Sequence, residues 1–217
     1  FLVPKAGRNA VLLIASLIFY GWGEPKYVFL MIATIALFYG CGLAIGSAAT
    51  QSRKKIWLTV SVVISIGLLA VFKYADFALE NWNRLTGMNI PLLKLALPIG
   101  ISFFTFQAIS YNIDVYRGDV PAQKNPINLA LYVSLFPQLV AGPIVRYSDV
   151  ERKLRTRSHT LDGFAYGVRR FVTGLGKKVL LANSFGSFCE IFRETDDKST
   201  LFFWIYAVAY SLQVYFD

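Results

Sequence analysis

Residues 132–147 read YVSLFPQLVAGPIVRY, an apolar run that is interrupted by Pro137 and by the pair Gly142-Pro143 and that reaches Arg146 near its end. Proline lacks the backbone N–H that a helix uses, and its ring clashes with the preceding turn. Within hydrocarbon, a carbonyl freed in this way must be satisfied by protein or by a water-filled cavity. The pattern therefore predicts a broken helix that lines a cavity, not a plain membrane-spanning helix.

The composition of the chain indicates a membrane protein. Its 217 residues are 55% hydrophobic, and the formal net charge is +9. This hydrophobic share exceeds that of soluble globular proteins. The basic residues concentrate in short loops between apolar runs, where orientation in the membrane explains them better than nucleic-acid binding does. We therefore predict membrane lipid as a partner and no nucleic-acid partner.

The apolar runs predict an all-α, polytopic bundle that forms a single transmembrane domain over residues 1–217. A membrane span needs about twenty predominantly apolar residues. The approximate predicted spans are residues 11–22, 27–47, 56–72, 95–113 and 201–217. The first run is short for a complete span, whereas residues 27–47 have the required length and composition.

Positive charge predicts the orientation of these spans. The segment Arg53-Lys54-Lys55 precedes the third span, and an excess of Lys and Arg favours the cytoplasmic side. Counting from it, residues 73–94 lie outside and residues 114–124 lie in the cytoplasm. The run 126–145 therefore starts inside and leads into the basic segment 146–178. Because both flanks favour the same side, we predict that 126–145 is re-entrant; the alternative, a full crossing, places the basic segment outside.

Residues 161–180 have the pattern of an amphipathic helix, which we expect to lie in the interface of the inner leaflet. Arg169, Arg170 and Lys177 fall away from the apolar stripe. Thr160 is the predicted N-cap, and Asp162 complements the positive end of the helix. The apolar stripe consists of Phe164, Val168, Phe171, Val172, Leu175 and Val179.

Polar side chains are spread around the predicted span that contains LPIGISFFTFQAISYNID, residues 97–114. Lipid cannot satisfy all of them. Two interpretations stay open for Gln107 and Asn112: they hydrogen-bond to neighbouring helices, or they line a hydrated tunnel. Both residues are therefore candidate tunnel-lining groups.

Three further residues are candidates for contact with a substrate. Gln138 follows the predicted kink, and it either caps carbonyls freed by the broken helix or contacts a substrate. Arg146 either snorkels to the interface or binds an anion. Asp217 closes an apolar run, and an acid at membrane depth is a candidate functional residue.

Other polar residues carry no predicted chemistry. Ser158, His159 and Asp162 are too close along one loop to arrange themselves as a catalytic triad. Asp114 and Asp119 flank Arg117 and are interpreted as a solvated or salt-bridged loop.

Cys41 and Cys189 are interpreted as packing residues, because neither has a second cysteine or a histidine at metal-ligand spacing. We therefore predict no metal site.

Four blocks of sequence carry a resemblance to a known family. They are LPIGISF at 97–103, YNIDVYRG at 111–118, FPQLVAGPI at 136–144 and SLQVYFD at 211–217. Together they resemble the membrane-bound O-acyltransferase family, and in particular its bacterial branch that O-acetylates alginate, peptidoglycan and other exopolysaccharides. The resemblance runs in order from about residue 19 to the end of the chain.

The resemblance implies a multi-span enzyme of the bacterial cytoplasmic (inner) membrane, with re-entrant helices and a central funnel. It implies no bound cofactor; acetyl-coenzyme A or another acyl thioester is the donor on the cytoplasmic side. The acyl group passes to a hydroxyl on the outer side. The implied partners are an extracytoplasmic acetyl-transferring protein and a polysaccharide acceptor.

The family's catalytic histidine is expected after Asp217, and His159 does not match it. We therefore expect no catalytic residue in this chain, and we expect the chain to be a fragment that is inactive alone. Two other functions remain open from the residues. Interrupted helices near a charged mouth are also typical of secondary transporters, and a non-catalytic membrane scaffold for partner enzymes fits as well.

Overall fold

The computed structural model describes residues 3–4, 7–139, 143–157, 160–195 and 199–217. All regular secondary structure in these ranges is helical, which confirms the all-α prediction. In chain order the helices are α1 Arg8–Gly23, α2 Tyr27–Ser47, α3 Gln51–Thr86, α4 Ile101–Arg117, α5 Pro126–Ser134, α6 Phe136–Leu139, α7 Tyr147–Arg155, α8 Leu161–Gly176, the π-helix Lys177–Ala182, α9 Asn183–Glu194 and α10 Thr200–Phe216.

Among the described residues, α2 and α3 are long and apolar enough to cross a membrane. The bounds of α2 coincide with the predicted segment 27–47. Helix α3 has 36 residues and extends well beyond the predicted segment 56–72. Thr50 caps its start by accepting a hydrogen bond from the N–H of Arg53, and Gly87, at φ +71°, ends it. The prediction followed apolarity alone, whereas the polar end of α3 contains no glycine or proline to stop a helix.

The helix within the predicted span 95–113 begins later than the apolar run does. Residues 87–100 are not helical, and α4 begins only at Ile101. Pro98 disfavours helical backbone in the residue before it, and Gly100 takes a left-handed conformation at φ +74°. The helical part of this predicted span is therefore shorter than its apolar run.

Side chains of α2 and α3 satisfy the backbone of this irregular segment. The Asp76 carboxylate accepts hydrogen bonds from the N–H groups of Leu93 and Lys94, at 2.7 and 2.9 Å. The Tyr27 hydroxyl donates to the carbonyl of Ala96 at 2.8 Å. Non-helical backbone is tolerated here because its polar groups have protein partners.

The described chain forms two compact units, divided after residue 156. Unit 1, residues 1–156, contains α1 to α7. Its core is built where α4 packs against α2 and α3, and where α1 packs against α5. At Gly42 of α2, an added Cβ atom would lie 2.5 Å from the ring of Tyr111 in α4. Small residues let these two helices approach closely, as is common in membrane helix packing.

Unit 2, residues 157–217, contains α8 to α10 and the π-helix. Thr160 accepts a hydrogen bond from the N–H of Gly163 at 3.0 Å, which confirms the predicted N-cap. The helical segment that begins with α8 does not end at residue 180 as predicted. The π-helix and α9 follow α8 without a break, so this segment ends at Glu194. Helix α8 has no buried residue. Its place in the membrane interface stays a prediction.

Candidate functional site

The predicted break in 126–145 is present, and its position follows from proline chemistry. Helix α5 ends at Ser134, Leu135 takes an extended conformation with ψ 113°, and α6 begins at Phe136. Pro137 therefore lies in the first turn of α6, where a helix does not need its missing N–H. Gly142 of the second predicted kink lies outside the described residues. The path of this segment through the membrane stays a prediction.

Gln138 caps the broken end of α5. Its Nε2 donates to the backbone carbonyl of Tyr132 at 2.6 Å. The Tyr132 hydroxyl in turn donates to the carbonyl of Val145 at 2.6 Å. Carbonyls in the last turn of a helix have no partner within the helix. The structure therefore supports the capping interpretation of Gln138.

Three buried tyrosines connect the helices around this break. The ring of Tyr147 in α7 contacts those of Tyr111 and Tyr132, with centroids 4.9 and 5.2 Å apart. Gln123 donates from its backbone N–H to the Tyr111 hydroxyl at 2.9 Å, and from its Nε2 to the Tyr147 hydroxyl at 2.6 Å. Sequence reasoning missed this tyrosine cluster. The signal available was helical spacing on α7, where Tyr147, Val150 and Leu154 face the core.

Gly100 lets the start of α4 approach the end of α6. A Cβ atom at residue 100 would lie 2.6 Å from the carbonyl oxygen of Leu139. The left-handed conformation of Gly100 is also one that residues with a side chain rarely adopt. The glycine of the LPIGISF block therefore positions α4 against the broken helix.

Helix α4 buries the two polar candidates of the central span. Gln107 is 1% exposed and Asn112 is 0% exposed. Neither side-chain polar atom of Asn112 has a hydrogen-bond partner in the described chain, and the same holds for Oε1 of Gln107. Burial of an unpaired amide is costly. The observed contacts therefore do not support helix-to-helix hydrogen bonding for Asn112, and its place in a hydrated tunnel stays a prediction.

Asp114 is not part of a solvated loop, so that interpretation was wrong. It lies in α4, one residue beyond the predicted span, and is 6% exposed. Burial raises the pKa of its carboxyl, while a hydrogen bond from the Ser148 N–H and the charges of Arg146 and Arg117 oppose the rise. Arg146 itself is exposed. The positive charge of its guanidinium therefore lowers the pKa of the buried Asp114, although Arg146 lies at the surface.

Asp217 belongs to unit 2, whereas the other candidates belong to unit 1. Its carboxylate forms an ion pair with Lys178 of the π-helix. Short π-helical turns occur frequently at functional sites. The apolar pattern around Asp217 gave no indication of this partner, and the depth of the pair in a membrane stays a prediction.

The described residues bring together no group of three His, Cys, Asp or Glu side chains that could hold a metal ion. Cys41 and Cys189 are both buried and free, as expected of packing residues. Ser158 and His159 lie outside the described residues, while Asp162 lies in the first turn of α8.

Comparison with known proteins identifies relatives of the chain. The model of the membrane-bound O-acyltransferase family matches residues 120–217. The probable alginate O-acetylases AlgI of Azotobacter vinelandii and Pseudomonas aeruginosa are each 41% identical to the chain over all of it, covering 44% and 43% of their own lengths. The peptidoglycan O-acetyltransferase of Helicobacter pylori is 32% identical over 95% of the chain and 44% of its own length.

The chain spans less than half the length of the curated relatives it matches. No solved structure matches it at a significant level. The matches confirm the resemblance that the four sequence blocks predicted. Residues 120–217 belong to the membrane-bound O-acyltransferase family.

Proposed function

We propose that the full-length protein is a membrane O-acyltransferase. It moves an acetyl or short acyl group from a cytoplasmic thioester donor to a hydroxyl acceptor outside the membrane, in the O-acetylation of cell-surface polysaccharide. The observation that carries this proposal is the 41% identity, along the whole chain, to proteins named alginate O-acetylases. Their name gives the reaction class, and the bacterial cytoplasmic membrane is the proposed location.

The charge of unit 1 supports a phosphorylated donor such as acetyl-coenzyme A. Arg146 and Arg152 are exposed around α7, on the side of the broken helix that we predict to be cytoplasmic. A cluster of one sign of charge raises the local concentration of an oppositely charged substrate. Arginine also binds phosphate through parallel hydrogen bonds. The donor is a substrate in this proposal, not a bound cofactor.

The backbone around the break supports a polar passage toward the acceptor. The backbone between α5 and α6 is non-helical at Leu135, and the nearby helix α4 buries Asn112 and Gln107 without full hydrogen bonding. Irregular backbone at membrane depth is tolerated where it lines a cavity. These features suit a passage in which an acyl thioester and a hydroxyl meet.

The proposed chemistry uses a general base from outside this chain. The histidine that the family resemblance places after Asp217 removes the proton of the acceptor hydroxyl. The hydroxyl oxygen attacks the thioester carbonyl carbon, the carbon–sulfur bond breaks, and the thiol leaves with a proton. Donors at the site stabilise the oxyanion that forms in between. An acetyl-transferring partner protein and a polysaccharide are the proposed outer partners.

The direct test of this function uses membranes that contain the full-length protein. They are incubated with coenzyme A that carries a labelled acetyl group, and label in polysaccharide or in a partner protein is measured. Transfer that depends on the histidine after the SLQVYFD block supports the proposal. The proposal is contradicted if the label stays on the donor or if transfer does not depend on that histidine. The remaining functions would then be secondary transport or a scaffold for partner enzymes.

A second experiment tests the proposed role of α4. Replacing a buried unpaired amide by an apolar group of similar shape is close to neutral for stability. We expect Asn112→Leu to keep the melting temperature and to lower kcat/KM at least about tenfold, which corresponds to about 1.4 kcal/mol. Phe106→Leu, on the exposed side of the same helix, is the matched control and should change neither. A lower melting temperature with full activity would instead assign Asn112 to helix packing.

A further inference from the structure

Unit 1 contains a cavity of about 660 Å³ that is separate from the broken helix. It lies between the end of α2, the start of α3, the end of α4 and the loop 118–124. Its polar lining comes from Ser47, Lys54 and Lys124. Its apolar lining includes Leu43 and Val120. The cavity therefore has a cationic side and an apolar side.

The walls of this cavity are held in place by specific contacts. The chain at Ala122 packs so closely on α2 that a Cβ atom at Gly46 would lie 2.5 Å from that of Ala122. The Tyr39 hydroxyl donates to the backbone carbonyl of Lys124 at 2.7 Å. Gln123 is bonded to the tyrosine cluster from both its backbone and its side chain. The backbone position of Lys124 is therefore fixed by its neighbours, while its side chain is exposed at the cavity.

The two lysines at the cavity have no acidic partner among the residues that the structure describes. No carboxylate of the described chain forms an ion pair with Lys54 or Lys124. Lys54 is half-buried, whereas Arg53 and Lys55 on either side of it are exposed. The N-terminal turn of α3, which carries Lys54, adds partial positive charge. Asp119 is the acid nearest in sequence to the lining, and it is exposed.

We propose that this cavity binds the phosphate headgroup of an anionic membrane phospholipid. The start of α3 at Lys54 and the loop at Lys124 both belong to the predicted cytoplasmic side, where anionic lipid headgroups attract basic residues. The Ser47 hydroxyl can hydrogen-bond to a phosphate oxygen. Leu43 and Val120 offer apolar surface to the glycerol and the upper acyl chain. The inference does not depend on the proposed acyl transfer.

The test measures lipid binding to the purified full-length protein in a neutral detergent. Native mass spectrometry counts bound phosphatidylglycerol and phosphatidylcholine in separate titrations. We expect the protein to retain one phosphatidylglycerol in preference to phosphatidylcholine. Each of Lys54→Gln and Lys124→Gln should weaken that binding about fivefold, the effect of one basic residue near the headgroups. Lys55→Gln is the matched control and should not weaken it.

Two further experiments distinguish a lipid phosphate from a soluble phosphate and a specific defect from misfolding. Lys54→Arg keeps the charge and should retain the lipid, whereas a defect from misfolding would not be rescued in this way. Displacement of the lipid by inorganic phosphate or by acetyl-coenzyme A at equal concentration would assign the cavity to a soluble anion and overturn the proposal. Equal binding of the two lipids, or equal losses in Lys54→Gln and Lys55→Gln, would also overturn it.

Discussion

Two glycines at helix contacts of unit 1 and two glycines of α8 in unit 2 have opposite surroundings. In unit 1, side-chain atoms placed at Gly42 or Gly100 would overlap Tyr111 or the Leu139 carbonyl. In α8 of unit 2, by contrast, Gly167 and Gly174 have no atom within 4 Å of an added Cβ. Unit 1 thus uses glycine to bring helices and broken backbone together. Gly167 and Gly174 of α8 face open space.

The cavities of the two units differ in the same sense. The cavity of about 660 Å³ in unit 1 has lysines in its lining. In unit 2, by contrast, the cavity of about 560 Å³ between α9 and α10 is lined almost entirely by apolar side chains. Phe164 and Phe171 of α8 are 72% and 69% exposed. This is the arrangement that an interfacial amphipathic helix presents to lipid. Unit 1 is therefore organised by specific contacts within the chain, whereas we expect the exposed apolar face of α8 to contact lipid.

The sharpest test of this contrast is Gly100→Ala in the full-length protein. A residue with a side chain pays for the left-handed conformation, and its Cβ overlaps the Leu139 carbonyl. Together these costs lower the free energy of unfolding by about 3 kcal/mol. Denaturant unfolding in detergent measures the change.

Two controls separate the contributions at Gly100. Gly118→Ala, at φ +85° with open space around it, should lose only the conformational part, about 1 kcal/mol. Gly174→Ala in α8 should be neutral or stabilising, because alanine favours a helix. Equal decreases in the free energy of unfolding for Gly100→Ala and Gly174→Ala would contradict this difference between the two units.

Gly42→Ala should have the next largest effect. The ring of Tyr111 is buried and is held by the hydrogen bond from Gln123, so it cannot move aside. Overpacking of this kind costs about 2 kcal/mol. Gly40→Ala, on the exposed side of the same helix, has no neighbour within 4 Å and should not destabilise. A melting temperature unchanged by Gly42→Ala would show that α2 and α4 are less closely packed.

Gln138→Ala should have a smaller effect, because it removes one hydrogen bond to the Tyr132 carbonyl. An unpaired buried carbonyl lowers the free energy of unfolding by about 1–2 kcal/mol. If Gln138 only caps α5, KM for the acyl donor stays unchanged while the melting temperature falls. A raised KM at unchanged stability would assign it to the substrate instead.

Asp114→Asn should give the smallest effect, and its sign depends on pH. The raised pKa means that the folded protein binds the proton more tightly than the unfolded chain does. Ionised Asp114 therefore destabilises the fold above its folded pKa, and the penalty disappears as pH falls. We expect the variant to be at least as stable as the native protein at neutral pH, with the difference shrinking in mild acid. A less stable variant at neutral pH would show that Arg146 and Ser148 outweigh burial.

The sequence predicted those parts of the fold that depend on local composition. Helix α2 is uninterrupted and apolar, so its bounds were predicted correctly, and Thr160 was recognised as an N-cap. Helix α3 was predicted too short because its last turns are polar, although they are good helix formers. The break before Pro137 was predicted to within a few residues, since proline acts on its own turn.

The contacts at the candidate site could not be predicted in the same way. The tyrosine cluster and the approach of Gly100 to Leu139 join residues from different helices, and no local pattern specifies such pairs. Burial of Asp114 was missed because Arg117 and Asp119 follow it closely and suggest a loop. The ion pair of Asp217 was missed because Lys178 belongs to a basic cluster with many possible partners.

The central claim is that the broken helix of unit 1 enters and leaves on the cytoplasmic side. Single cysteines are introduced as Arg152→Cys and Leu85→Cys, both at exposed positions, in full-length protein whose native cysteines are replaced. A membrane-impermeant maleimide is then applied to intact cells and to inside-out vesicles. The account predicts that the cysteine at 85 reacts only in cells and the one at 152 only in vesicles. Reaction at 152 in intact cells would mean a full crossing and would contradict the account.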